Sequence, residues 1–167
     1  MYGFVARAKR IMQGVLAGLC TLLLSVMTLL VLWQVFTRYA LNDPSSFTEE
    51  LVRDFLIWTS FAGAAYAFSS REHMALIFLR DRLDPRKRKA VMVFGDSLVL
   101  LFALFVMVIG GVKLALSARM EYSALLGIPR SLVYSMAPLS GIFIIFAQAI
   151  NIYEDVTGRA VAQEEEK

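Results

Sequence analysis

The chain has 167 residues, of which 58% are hydrophobic, and its mean hydropathy is +0.62. Soluble domains use roughly 45–50% apolar residues. Here the excess falls in long uncharged runs, so a single all-α integral membrane domain over 1–167 is expected, with no room for a soluble catalytic domain beside its spans. The net charge of +3 does not make nucleic acid an expected partner, because most basic residues border apolar runs, where they act as topology signals and membrane-lipid headgroup contacts. The single cysteine, Cys20, excludes an internal disulfide.

Arg7, Lys9 and Arg10 precede an uncharged run over residues 11–37. That run is far longer than the roughly 7–15 residues of a secretory apolar region and holds no small-residue cleavage site, which predicts a retained first span. At about 1.5 Å per residue it also exceeds a ~30 Å hydrocarbon core, so the helix should tilt or project at its far end, with Trp33 and Tyr39 as interfacial anchors. A short turn-rich link, Ala40 to Ser45, follows. Ser46 with Glu49 three residues on reads as a capping box, which predicts a second span over about 48–70. Its first turns carry Glu49, Glu50, Arg53 and Asp54, whereas Phe55 to Ser70 is uncharged.

Residues 72–84 are too few to span. Their mix of Met74, Leu76, Ile77, Phe78 and Leu79 with Arg80, Asp81 and Arg82 suits a short amphipathic segment lying in the interface between the second and third helices. Asp84-Pro85 reads as an N-cap with proline at the first helical position. A third span is expected over about 90–116 and a fourth over 131–153, where Pro138 should kink the first turns. Residues 154–167, charged and rich in small side chains, are expected to form a disordered tail.

Lysine and arginine set the orientation. Three precede the first span, seven lie between Arg71 and Lys89 and two follow Tyr153, against Arg38 and Arg53 in one link and Lys113, Arg119 and Arg130 in the other. The positive-inside rule then predicts four transmembrane helices with both termini cytoplasmic. Glu49 to Asp54 would face the outer side.

Ionisable residues inside spans point to function by default. Asp54 to Arg71 and Asp96 to Lys113 are equally spaced, so antiparallel second and third helices would pair Asp54 with Lys113 near one face and Arg71 with Asp96 near the other. Contact with a partner subunit and a proton-relay role remain open readings of the same charges. Other chemistries fail on residue supply: one histidine, His73, does not make the usual bis-histidine haem site, one cysteine does not make a dithiol oxidant, and no ligand cluster suits zinc. No catalytic, cofactor or metal site is expected in this chain. Gly14 with Gly18, Gly63 with Ala67, and Ala137 with Gly141 have the small-xxx-small spacing that lets helices approach closely. Glu50, Asp54, Trp58 and Phe61 share one helical face, which could pack inside the bundle or against another membrane protein.

The stretch from Glu49 to Met74, E-E-L-V-R-D-F-L-I-W-T-S-F-A-G-A-A-Y-A-F-S-S-R-E-H-M, resembles the signature of the small membrane subunit of tripartite ATP-independent periplasmic (TRAP) transporters. In that family an acidic residue and an arginine open the second helix, a tryptophan precedes a Phe-x-Gly-Ala run, and a histidine follows the helix. Glu50, Arg53, Trp58, Phe61, Gly63, Ala64 and His73 occupy those positions here. The four-span layout with a basic inner link is also similar.

The resemblance implies a non-catalytic subunit in a bacterial inner membrane. A large multi-span partner would hold the Na+ and substrate sites, and a periplasmic binding protein would deliver an organic acid anion. Glu50, Arg53, Asp54, Trp58, Phe61, Gly63, Ala64 and His73 then become candidates for contact with the large subunit. Arg38, Asp43, Glu49, Glu50, Arg119, Glu121 and Arg130 become candidates for docking the binding protein. The competing expectation is a four-span proton-coupled exporter acting as a homodimer, with Asp54 or Asp96 carrying the proton.

Overall fold

The computed structural model describes residues 2–43, 45–70 and 85–156. Its elements are helical: α1 (Tyr2–Ala40), α2 (Ser46–Ser70), α3 (Pro85–Phe102), a π-helical stretch (Ala103–Gly110), α4 (Gly111–Ser117), a 3-10 turn (Ala118–Met120), α5 (Arg130–Tyr134) and α6 (Met136–Val156). Among the described residues, three helical runs are long and apolar enough to cross a membrane: Arg7–Ala40, Ala90–Met120 and Arg130–Tyr153. α2 is not among them, because its opening charges lower its hydropathy. The expected interfacial segment 72–84, with His73, and the rest of the expected tail from residue 157 lie outside the described residues, as does Arg71.

The exposed hydroxyls of the first and second helices suit an apolar surround. Thr21 donates to the Ala17 carbonyl at 2.9 Å, Ser25 to Thr21 at 2.8 Å, Thr28 to Leu24 at 2.8 Å and Ser60 to Leu56 at 2.7 Å. Each hydroxyl is thus satisfied within its own helix, as a hydrocarbon environment requires. Around them α1 exposes Val15, Leu22, Leu29 and Leu32.

The core lies between α1, α2, the third helical run and α6, where Met12, Leu16, Ala65, Ala103, Met107, Ile144 and Ala147 are buried together. On α2 the buried positions Ala62, Ala65 and Ser69 recur at helical spacing, and their small side chains let neighbouring helices approach. α2 packs along α1 and α6 and makes no close backbone approach to α3, the π-helical stretch or α4. The fourth helical run therefore lies between the second and the third.

Two glycines fix that third-to-fourth contact. A Cβ on Gly141 would lie 2.9 Å from the Met107 Cβ and from the Val108 Cγ2, and a Cβ on Gly111 would lie 2.8 Å from the Pro138 Cδ. The expected close approach at Ala137 and Gly141 is therefore made within the chain. Gly14, Gly18 and Gly63 face open space instead. Pro138 has no N–H to give to the Tyr134 carbonyl four residues back, and the helical run is interrupted there, between α5 and α6.

At its start α2 departs from expectation. Ser46 lies within the first turn, the Thr48 hydroxyl donates to the Ser45 carbonyl at 2.8 Å, and Glu49 pairs with Arg53 at 3.8 Å.

Candidate functional site

Two sets of hydrogen-bonded polar groups lie at the two ends of α2. At the first end, α1 finishes in a turn in which Asn42 adopts φ 53° and the Asp43 amide donates to the Thr37 carbonyl at 3.3 Å. The same end receives the hairpin that joins the 3-10 turn to α5. Its base is an antiparallel bridge between Tyr122 and Pro129, with the Ser123 amide on the Ile128 carbonyl and the Arg130 amide on the Glu121 carbonyl, both at 2.9 Å. Gly127, at φ 63°, turns the tip. That left-handed conformation is one a side chain resists and glycine does not.

Glu50 links α2 to this hairpin. Its Oε2 accepts the Leu125 amide at 3.1 Å, across 75 positions of sequence. The buried Ser123 hydroxyl and the amides of Leu125 and Ala124, with Arg130 nearby, hold the Glu50 carboxyl below its ordinary value. A carboxylate accepting several donors favours its charged form, and Glu50 lies ahead of the uncharged stretch that starts at Phe55.

Among the expected docking residues, Arg38, Asp43, Glu49, Arg119 and Glu121 are exposed, while Glu50 and Arg130 are half-buried. The Glu50–Leu125 bond brings the two links that carry them to one end of the bundle. Of the signature residues, Phe61 packs against the core; Trp58, Ala64 and Gly63 are half-buried, with space open beside Gly63.

The expected Asp54–Lys113 ion pair does not form. Asp54 is half-buried beside Glu50, Arg130 and Arg53, whereas Lys113 is exposed on α4. The reason is the helix order, since the fourth helical run separates α2 from the third. Asp96 is buried, at 9% exposure, and Arg71, its expected partner, lies outside the described residues.

The opposite end of α2 was not anticipated. The last carbonyls of a helix lack intrahelical partners, and here neighbouring helices supply them. The Gln13 amide donates to the Ser69 carbonyl at 2.8 Å and the Asn151 amide to the Phe68 carbonyl at 3.5 Å. Asn151 also receives Lys9 Nζ on its Oδ1 at 2.6 Å and donates to Gln148 Oε1 at 3.4 Å. Ser69, Gln148 and Asn151 are at most 1% exposed. This knot ties α1, α2 and α6 together. Its sequence signal is the pair Gln148 and Asn151, three residues apart inside an apolar run, because polar groups within a span turn to its interior.

Among the described residues, no group of three or more histidine, cysteine or acidic side chains is placed to hold a metal. Fold and site together define a multi-pass helical membrane protein whose described polar groups bind helices to one another. The family model for tripartite ATP-independent periplasmic transporters, DctQ component, matches residues 27–158, and the chain belongs to that family. This is a transporter component, not an enzyme. The sialic acid TRAP transporter small permease protein SiaQ of Vibrio cholerae is 30% identical over 131 residues, which cover 78% of this chain and 73% of that one. The ectoine TRAP transporter small permease protein TeaB of Halomonas elongata is 26% identical over 153 residues, 90% of this chain and 77% of that one. The sialic acid TRAP transporter permease protein SiaT of Haemophilus influenzae is 25% identical over 135 residues, which cover 78% of this chain and 22% of its own length.

Proposed function

We propose that the chain is the small membrane subunit of a sodium-coupled, binding-protein-dependent transporter for organic acid anions, and that it braces the scaffold of a larger transport subunit. The observation that carries this reading is the family match over residues 27–158. The SiaT alignment supports a large partner: a stretch like this one makes up 22% of a longer permease chain, so the remainder of such a chain is the kind of protein that would stand beside this one. Sialic acid and ectoine both occur in the relatives' names, which leaves the choice of substrate to the partner subunits. The coupling Na+ and the substrate would bind in the large subunit.

In this reading α2 is a fourth span, crossing with its uncharged stretch from Phe55 to Ser70. The distribution of basic residues supports both termini lying in the cytoplasm, with the chain in a bacterial inner membrane. The Glu50 end then faces the periplasm, where the hairpin and the link after α1 form part of the docking surface for a substrate-binding protein. The charges of this chain support bracing rather than conduction, because Glu50 is engaged with the hairpin, Lys9 with Asn151 and Arg53 with Glu49. The exporter reading is not favoured by the family match. Isolation of the protein from its native membrane in mild detergent, with mass spectrometry of what accompanies it, tests the proposal. A stoichiometric multi-span permease is expected, and recovery of this chain only with copies of itself would refute the partnership.

A further inference from the structure

The hairpin between the 3-10 turn and α5 bonds most of the amides at its tip to itself. The Ser123 amide bonds the Ile128 carbonyl at 2.9 Å, the Leu126 amide the Ser123 hydroxyl at 3.2 Å, and the Gly127 amide the Ser123 carbonyl at 3.1 Å. The Leu125 amide is the exception, since it bonds Glu50 Oε2 on another helix at 3.1 Å, with the Ala124 amide close to the same carboxylate. Backbone donors of a turn set side by side make a concavity for an anion, and here α2 fills it with a carboxylate.

We propose that Glu50 is a positioning residue: it is the template on which the tip of this hairpin folds, so that the direction of the tip is set by α2. The inference rests on the proposed function only for its consequence, which is that the docking surface inherits its geometry from Glu50. Reach decides the matter more than charge. Glutamine keeps an acceptor oxygen at the same distance, aspartate keeps the charge but falls about 1.5 Å short of the amides, and alanine removes both.

The test is backbone amide exchange, read by mass spectrometry over the segment 122–128 in the full chain reconstituted in lipid nanodiscs, for the wild type and for Glu50→Gln, Glu50→Asp and Glu50→Ala. Loss of a bonded acceptor raises local opening, so Glu50→Ala and Glu50→Asp are expected to exchange about fivefold faster or more, with Glu50→Gln near the wild type. Exchange over the buried part of α6 should be unchanged in all four, which separates a loosened hairpin from a misfolded chain. Unchanged hairpin exchange in Glu50→Ala would overturn the proposal, as would a ranking by charge in which Glu50→Asp behaves as wild type and Glu50→Gln as alanine. Binding-protein-stimulated uptake by the complex tests the underlying reading separately. A loosened hairpin with undiminished uptake supports the template role of Glu50 and refutes the docking role of the hairpin.

Discussion

The two ends of α2 are tied to segments distant in sequence in opposite ways. A helix leaves its last carbonyls without partners, and one end of α2 has its own satisfied by other helices while the other end satisfies an amide of a loop. At the Ser69 end the partners are side chains from two other helices, half-buried Gln13 and buried Asn151, with Asn151 at 1% exposure taking a bond from one helix and giving one to another. At the Glu50 end the helix supplies the acceptor, a partly exposed carboxylate, and the partner is the backbone of a loop. The buried knot fixes how three helices pack. The half-buried latch fixes only where a loop points, which suits the docking surface proposed above.

Substitutions should reveal this asymmetry as a gradient in stability. Asn151→Leu removes the acceptor of Lys9 and a donor to Phe68 in a buried setting, where an unsatisfied polar group costs about 1–3 kcal/mol. It should give the largest loss in thermal stability of the purified protein, about 2–3 kcal/mol. Gly141→Val probes the middle of the bundle, since even a Cβ there comes within 2.9 Å of Met107 and Val108. Overpacking of this kind costs about 1–3 kcal/mol, and a melting temperature equal to the wild type would mean that the third and fourth helical runs are not in this contact. Gln13→Leu, which frees the Ser69 carbonyl, should cost about 1 kcal/mol in the same assay. At the Glu50 end, Arg53→Ala breaks a 3.8 Å ion pair whose side chains are 63% and 59% exposed. Such pairs contribute at most about 0.5 kcal/mol. A loss at Arg53 as large as that at Asn151 would erase the distinction between the two ends.

Much of the helical plan was legible because it is written in local patterns. The first run was expected over 11–37 and is Arg7–Ala40, the third over 90–116 and is Ala90–Met120, and the fourth over 131–153 and is Arg130–Tyr153. Pro138 announced its interruption by lacking an N–H. The signature from Glu50 to Ala64 was readable as a family mark. Its opening acid proved to hold the hairpin, a role that no spacing within the signature could convey, since the partner lies 75 residues away.

What stayed hidden depends on which helices are neighbours. Equal spacing between charges suggested that Asp54 meets Lys113, yet α2 makes no close backbone approach to α4, and periodicity within one helix carries no information about the order of several. The π-helical stretch Ala103–Gly110 was hidden for a related reason: its eight uncharged residues read equally well as α-helix. Lys9 reads as a topology signal in the sequence, and it also donates into the knot.

The proposed function makes this chain a required but non-transporting partner. Reconstitution into liposomes, with the permease recovered beside it and the binding protein added, tests this by measuring sodium-driven uptake with both membrane chains and with each alone. Uptake that needs both chains, with none from this chain by itself, is the predicted result. Transport by this chain alone, or full uptake by the permease without it, would contradict the account.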